Sequence, residues 1–286
     1  MENNFKTELT LNGFVIIDLI DNEDVIYLNK LCSMYLQKGQ SDFISSSHSL
    51  DKQDSDFINI ELHKILDKKF EKQFPDLQLL GGTLATKVKG NSNLVAHQDW
   101  TIVDEEDFNS YNLWIPLVNT GKKNGTLGLI PGSHKWNNSC RGLNIPNKYG
   151  KYTSKFLQIG IEPELKVGQA ILYNHKLIHY SRPNTTGENR NTAIVGAKDR
   201  DAELQVTFTT DYKYIETYKV SQDDFYRFDI DKIKNSCTLI HRKELRKTET
   251  NWNEIFRQYA KNTSGEYKIS KVNNNIFKKI FNLFVK

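Results

Sequence analysis

Between residues 79 and 210 the chain breaks into short runs rich in β-branched and aromatic residues, each closed by Gly, Asn or Pro, and this rhythm leaves few architectures open. The runs cover 79–88, 94–100, 111–118, 125–130, 156–161, 170–173, 192–197 and 204–210. Side chains of this kind fit a pleated, half-buried surface, and the punctuating residues end strands. About eight short strands predict a closed or double-sheet β architecture, for which a jelly roll is the natural choice.

Ahead of these strands the period is helical. After a first strand over 13–19, Asp21 and Asn22 offer a helix cap, and Val25, Leu28, Cys32, Tyr35 and Leu36 recur at helical spacing until Gly39. Residues 50–56 are predicted as polar loop. A second amphipathic helix then carries Ile58, Leu62, Ile65 and Leu66 until Pro75 ends it. Near the other end, Trp252, Ile255, Phe256 and Tyr259 predict a helix. The final residues place Ile276, Phe277, Ile280, Phe281 and Phe284 on one face with Lys278, Lys279 and Lys286 beside it. Such a basic amphipathic helix can lie on an anionic membrane, but packing on the body of the protein or on a second subunit is the preferred reading. The expectation is one domain, 1–286, mainly β, with a jelly-roll core over about 77–220, flanking helices, and a helical extension over about 237–286.

Net charge is +4, with Lys and Arg dispersed among nearly as many Asp and Glu. No dense basic stripe tracks a phosphate backbone, so nucleic acid is not an expected partner. Cys32, Cys140 and Cys237 are odd in number and widely separated, without a CxxC. That argues against a disulfide framework or a zinc ribbon and fits a reducing cytoplasm. The first twenty residues lack a basic region before their short apolar run, which Asp18 interrupts, and no stretch approaches a membrane span.

Within this frame one pattern carries chemistry. His97-Gln98-Asp99 lies in a strand run, where alternate residues project to one side, so His97 and Asp99 can reach one ion while Gln98 faces away. A second imidazole, His179, would complete two nitrogens and one carboxylate on one side of a metal, the arrangement of non-haem Fe(II) enzymes that bind a co-substrate and O2 together. Ser181 follows His179 at two residues and Arg190 at eleven. The arginine fork suits a carboxylate and the serine hydroxyl adds a donor, so the pair can hold the far end of a dicarboxylate.

Three stretches now resemble one family: HQDW at 97–100, LWIPLVNTGKKNGTLGLIPGSHK at 113–135, and HYSRPN with Arg190. They are similar to those of the phytanoyl-CoA dioxygenase family of Fe(II)/2-oxoglutarate-dependent oxygenases, over roughly residues 9–198. The resemblance implies a double-stranded β-helix (jelly roll, cupin-like). It also implies iron on His97, Asp99 and His179, the distal carboxylate of 2-oxoglutarate on Ser181 and Arg190, and Trp114 and Gln98 lining the co-substrate. The family often shows a lysine before K-x-P-G's proline that reaches co-substrate; here the stretch is Lys87-Val88-Lys89-Gly90, with lysine in place of proline. Lys87 is therefore a candidate, as are Trp100 and Asn112 for substrate. The implied reaction is hydroxylation of an unactivated C–H of a small metabolite, with O2 consumed and succinate and CO2 released. Related halogenases carry a small residue at the Asp99 position, so Asp99 favours hydroxylation over halogenation.

His175 competes with His179, because HKLIH has the spacing that puts two imidazoles on one helical face. The local sequence, a strand run and then a turn without an HExxH glutamate, argues against it. His134 is assigned a structural or pocket-rim place. Two other classes remain: a non-catalytic cupin-like binding module, which predicts a damaged ligand set, and a zinc-dependent hydrolase, which leaves Ser181 and Arg190 without purpose. Arg141, Lys148 and Lys151, in the polar stretch 136–154, either receive an anionic substrate or are solvated loop charges, the latter being preferred. Oligomeric state is not legible.

Overall fold

The computed structural model describes residues 2–36, 42–136, 140–246 and 250–263. They fall in two compact units, 1–250 and 251–286. In the first unit the chain runs α1 (Glu2–Asn12), β1 (Phe14–Asp18), α2 (Asn22–Tyr35), β2 (Phe43–Ser45), α3 (Ser46–Ser49), α4 (Lys52–Gln73), β3 (Leu77–Lys87), β4 (Leu94–His97), β5 (Ser110–Pro116) and β6 (Leu127–Leu129). It continues through α5 (Thr153–Ile159), β7 (Gln169–Asn174), β8 (His179–Ser181), β9 (Arg190–Asp199), β10 (Gln205–Phe208), β11 (Tyr214–Lys219), α6 (Gln222–Arg227), α7 (Ile230–Ser236) and β12 (Thr238–Glu244). The second unit contains α8 (Trp252–Thr263).

The strands form the double sheet expected of a double-stranded β-helix. A six-stranded antiparallel sheet, ordered β1-β7-β5-β9-β3-β2, faces a three-stranded sheet ordered β4-β8-β6. Period-two alternation splits the large sheet between two cores. Leu113 and Ile115 of β5, with Leu84, Leu172 and Val195 of its neighbours, pack under Val25, Leu28 and Leu31 of α2 and Ile58, Leu62, Leu66 and Phe70 of α4. Trp114, one residue out of phase, joins Ile171, Tyr173, Leu127 and Leu129 between the sheets. Leu62 and Leu66 are wholly buried, each worth about 1.5–3 kcal/mol of apolar transfer. A third core lies around β10-β11-β12, where Phe208 stacks on Tyr218.

Local chemistry explains the helix starts. Asp21 caps α2 by accepting from the Asp24 N–H, and Asp24 reciprocates to the Asp21 backbone. Asp51 caps α4 in the same way through the Asp54 N–H. The stretch 50–56 is thus largely the first turn of α4 rather than loop, and its polar residues are cap and solvent face. Residues 156–161 were expected as a strand, but Thr153–Ile159 is helix α5. A six-residue apolar run does not distinguish the two, and only Ile161 keeps a strand-like bridge, to Leu129. The expected strand 94–100 ends at His97. Strand β12 opens the stretch where a helical extension was expected, while α8 arises from the four residues that predicted it. The terminal apolar face from Ile276 to Phe284 lies outside the described residues. Among those described, no helix is long and apolar enough to cross a membrane.

Candidate active site

The site lies between the two sheets. Strands β4 and β8 pair antiparallel with His97 directly opposite His179, and the ring centroids stand 4.1 Å apart. The ladder is irregular between Leu94 and His97; there Ala96 donates its N–H to Thr153 Oγ1 and offers its carbonyl to Asn147 Nδ2. Asp99 lies just past the end of β4, its N–H donated to the His175 carbonyl at 2.9 Å. Its Oδ1 is 3.7 Å from His97 Nε2 and 3.6 Å from His179 Nε2. Donor atoms of these three residues all lie within 4.8 Å of one another, a separation a single ion can close.

Each donor is oriented from behind. His97 Nδ1 meets the Val95 carbonyl at 2.8 Å and His179 Nδ1 the Leu177 carbonyl at 3.0 Å. A proton on Nδ1 leaves each Nε2 lone pair aimed at the common centre. Asn112 of β5 donates to Asp99 Oδ2 at 2.8 Å, leaving Oδ1 free. Burial pushes the His179 imidazole down to about 4 despite the Asp99 carboxylate beside it. Burial pushes Asp99 up, but the imidazoles of His179, His175 and His97 and the Asn112 amide outweigh it and hold the carboxyl down at about 2. A neutral imidazole and an ionised carboxylate are the forms a metal needs.

A second group gathers on the inner face of the large sheet. Arg190 of β9 is in register with Lys87 of β3, and both are almost wholly buried. The Arg190 guanidinium lies 5.4 Å from the Trp114 ring centre. No carboxylate pairs with it among the described residues, and its Nε has no hydrogen-bond partner. Lys87 Nζ donates to Ser181 Oγ at 3.0 Å and to the Arg182 carbonyl at 2.5 Å. Burial, reinforced by the Arg190 charge and opposed by Asp42, brings its ammonium down to about 7. Ser181 in turn donates to the Gly125 carbonyl. Gly125 sits at φ 74°, and a side chain there would strike the Arg182 carbonyl. Two buried cations and no anion make a cradle for an anion.

The other sequence candidates are placed as follows. Gln98 is buried and donates to the Lys176 carbonyl, tying the ligand turn to the β7–β8 turn. Trp100 is 43% exposed, its ring 5.6 Å from that of Phe228. Asn112, a substrate candidate by sequence, has its amide on Asp99. His175 lies in a turn, outside the three-residue donor cluster, and both ring nitrogens lack partners. His134 is buried, with Nε2 at 3.2 Å from the Thr10 carbonyl, a structural place. One residue gave no signal in the sequence, and another corrects an expectation: Arg141, expected as a solvated loop charge, is buried. Tyr173, packed 4.8 Å from His179, has a phenol held far above its usual range by burial and by Asp99. Arg141 donates Nε to the Asp99 carbonyl at 2.6 Å and grips both oxygens of Glu105. Forty-two residues separate Arg141 from Asp99, so no spacing could have signalled the contact.

A family model for phytanoyl-CoA dioxygenase (PhyH) matches residues 47–192, about half of the chain, and includes all three donors, Lys87, Ser181 and Arg190. The chain belongs to the phytanoyl-CoA dioxygenase family. A relative in that family, the phytanoyl-CoA dioxygenase domain-containing protein 1 homolog of Dictyostelium discoideum, is 27% identical over 104 residues. The match covers 33% of this chain and 36% of that protein, about a third of its length. Among solved structures, the epimerase SnoN in complex with Fe3+, alpha ketoglutarate and nogalamycin RO superposes with a TM-score of 0.55 at 15% identity, over 71% of this chain and 85% of that one. HygX from Streptomyces hygroscopicus, with nickel, 2-oxoglutarate and hygromycin B, gives 0.51 at 16%, over 69% and 87%. At such identities these structures attest the fold of a phytanoyl-CoA dioxygenase family member. The donor set here fits the Fe(II) of that family, and the carboxylate-free Arg190–Lys87 pair fits the far carboxylate of 2-oxoglutarate.

Proposed function

We propose that this family member is an Fe(II)/2-oxoglutarate-dependent dioxygenase that hydroxylates an unactivated C–H of a small metabolite. The observation that supports this best is the pairing of a three-donor cluster with a buried, unneutralised Arg190 on the facing sheet. His97, Asp99 and His179 would hold the metal. Asn112 keeps Asp99 to a single free oxygen, so the carboxylate occupies one position and leaves room for a chelating keto acid. Arg190, with Lys87 and Ser181, would bind the distal carboxylate, and Trp114 fixes the guanidinium from one side. When bound, Fe(II) and 2-oxoglutarate would supply, with O2 as the oxidant, oxidative decarboxylation to succinate and CO2, one oxygen atom entering succinate and the other being available to hydroxylate a C–H bond. The residues contribute position and an apolar flank: Leu127, Leu129 and Ile171 pack with Trp114 and Tyr173, which border Arg190 and His179.

A zinc-dependent hydrolase would leave Arg190 buried and unpaired without cause, and a binding module would not need three oriented donors. The test is anaerobic addition of Fe(II) and 2-oxoglutarate to metal-free protein, following the visible metal-to-ligand charge-transfer band, with Arg190→Ala alongside. A band in the wild type that weakens in the variant is expected. Its absence from folded, metal-loaded protein would overturn the proposal, and full substrate-coupled succinate formation by Asp99→Ala would sink the assignment of Asp99 as a ligand.

A further inference from the structure

A cavity is formed by residues other than the three donors. It has a volume of about 1010 Å³ and is lined from the 140–151 segment and from Tyr212, Ile215, Lys243, Glu244, Leu245, Arg246 and Thr250. That volume is at the upper end of the range for small-molecule sites. Its floor is apolar, from Ile145, Pro146, Ile215 and Leu245, and Lys148, Lys151, Lys243 and Arg246 also line it. The single carboxylate on the lining is Glu244.

The charges there are handled differently from those next to them. Arg242 stacks on Tyr214 at 4.1 Å and pairs with Glu216 and Asp211. The four lining cations make no ion pair among the described residues; Lys151 meets only the Tyr152 ring. Burial pushes the Lys148 ammonium down, so its surroundings are already partly desolvated. An anion entering such a place interacts more strongly than it would with a solvated surface lysine.

Tyr212 is the other unusual feature. It lines the same cavity while 62% exposed, at φ 56°, a left-handed backbone that L side chains adopt at a cost. The turn enforces it: Thr209 Oγ1 accepts the Tyr212 N–H, and Asp211 Oδ1 accepts those of Lys213 and Tyr214. An exposed ring held in a strained turn beside unpaired cations serves no packing purpose.

We propose that this cavity is a binding site for an amphipathic anion, an apolar body ending in a carboxylate or a phosphate or sulfate ester, with Lys148 and Lys243 receiving the charge and Tyr212 covering the apolar part. None of the three donors, nor Arg190 or Lys87, lines the cavity, and the proposal does not depend on the metal assignment.

The experiment is calorimetric titration of the full chain with decanoate, decyl phosphate and, as a charge-reversed control, decyltrimethylammonium. The expected result is 1:1 binding of at least one of the anions, with the choice between them reporting the headgroup, and no binding of the cation. Binding should weaken tenfold or more in Lys148→Glu/Lys243→Glu and several-fold in Tyr212→Ala, which keeps every charge. It should persist in Arg190→Ala, which excludes capture by the other cationic cradle. Equal binding of cation and anions, no binding of either anion, or loss in Arg190→Ala with retention in Lys148→Glu/Lys243→Glu would overturn the assignment. Melting temperatures show whether each variant is folded.

Discussion

The two ends of the candidate active site are built on opposite principles. At the metal end the far side of each donor is held: both Nδ1 atoms meet carbonyls, Asp99 has Asn112 on one oxygen, and its backbone is held by Arg141 and the His175 carbonyl. At the other end Arg190 is buried without an anion, and Lys87 has lost most of its basicity. Three ligands must keep fixed geometry through each turnover, and second-sphere hydrogen bonds provide that. A clamp for a co-substrate that arrives and leaves works better unsatisfied, because the incoming dianion relieves the desolvation of two cations at once.

The sharpest way to break this comparison is the same substitution at both ends. Arg190→Met is expected to weaken 2-oxoglutarate by about 2–4 kcal/mol, roughly 30- to 1000-fold, while leaving Fe(II) affinity intact. The metal-free protein should melt no lower, since an unpaired buried cation is gone. His179→Met should abolish Fe(II) binding and, with it, the share of 2-oxoglutarate affinity that chelation supplies, leaving only the contribution of the cation end. Equal loss of metal and co-substrate in Arg190→Met, read by anaerobic calorimetry, would mean the two ends are not separable.

A smaller effect tests the support behind the ligands. Arg141 links the Asp99 carbonyl to Glu105 through a fork that lysine cannot reproduce. Arg141→Lys and Asn112→Ala are each expected to lower Fe(II) affinity by about 10- to 100-fold, measured against a chelator of known affinity. Unchanged affinity in Arg141→Lys would reduce that contact to loop packing.

The same contrast explains what was legible in the sequence. His97, Asp99, His179, Ser181 and Arg190 lie on strands or their ends, where short spacings and strand period carry the pattern, and most core strands announced themselves through β-branched runs. Arg141, Glu105 and Tyr173 act across loops and between sheets, where contact depends on how distant segments close. Strands β11 and β12 are mostly exposed along one or both faces and show little apolar pattern. Helix α5 was hidden because Leu157, Ile159 and Ile161 alternate at the strand period while Phe156 and Ile159 keep the helical one, and the choice fell to tertiary packing, including the Thr153 hydroxyl that serves both the Gly150 carbonyl and the Ala96 N–H.

The smallest expected effect is a pH dependence at the cation end. Burial first, and then Arg190, bring Lys87 from 10.5 down to about 7. Between those values the unfolded chain carries a proton that the folded chain has released, so stability of the metal-free protein should rise as pH climbs from 7 to 10.5, and Lys87→Met should lose that rise. Co-substrate binding has the opposite sign, since a dianion favours the charged ammonium. Affinity for 2-oxoglutarate should be highest below pH 7 and about tenfold lower at pH 8, with proton uptake on binding there. Calorimetry in two buffers of different ionisation enthalpy measures that uptake directly. Identical slopes in wild type and Lys87→Met would place the titrating group elsewhere.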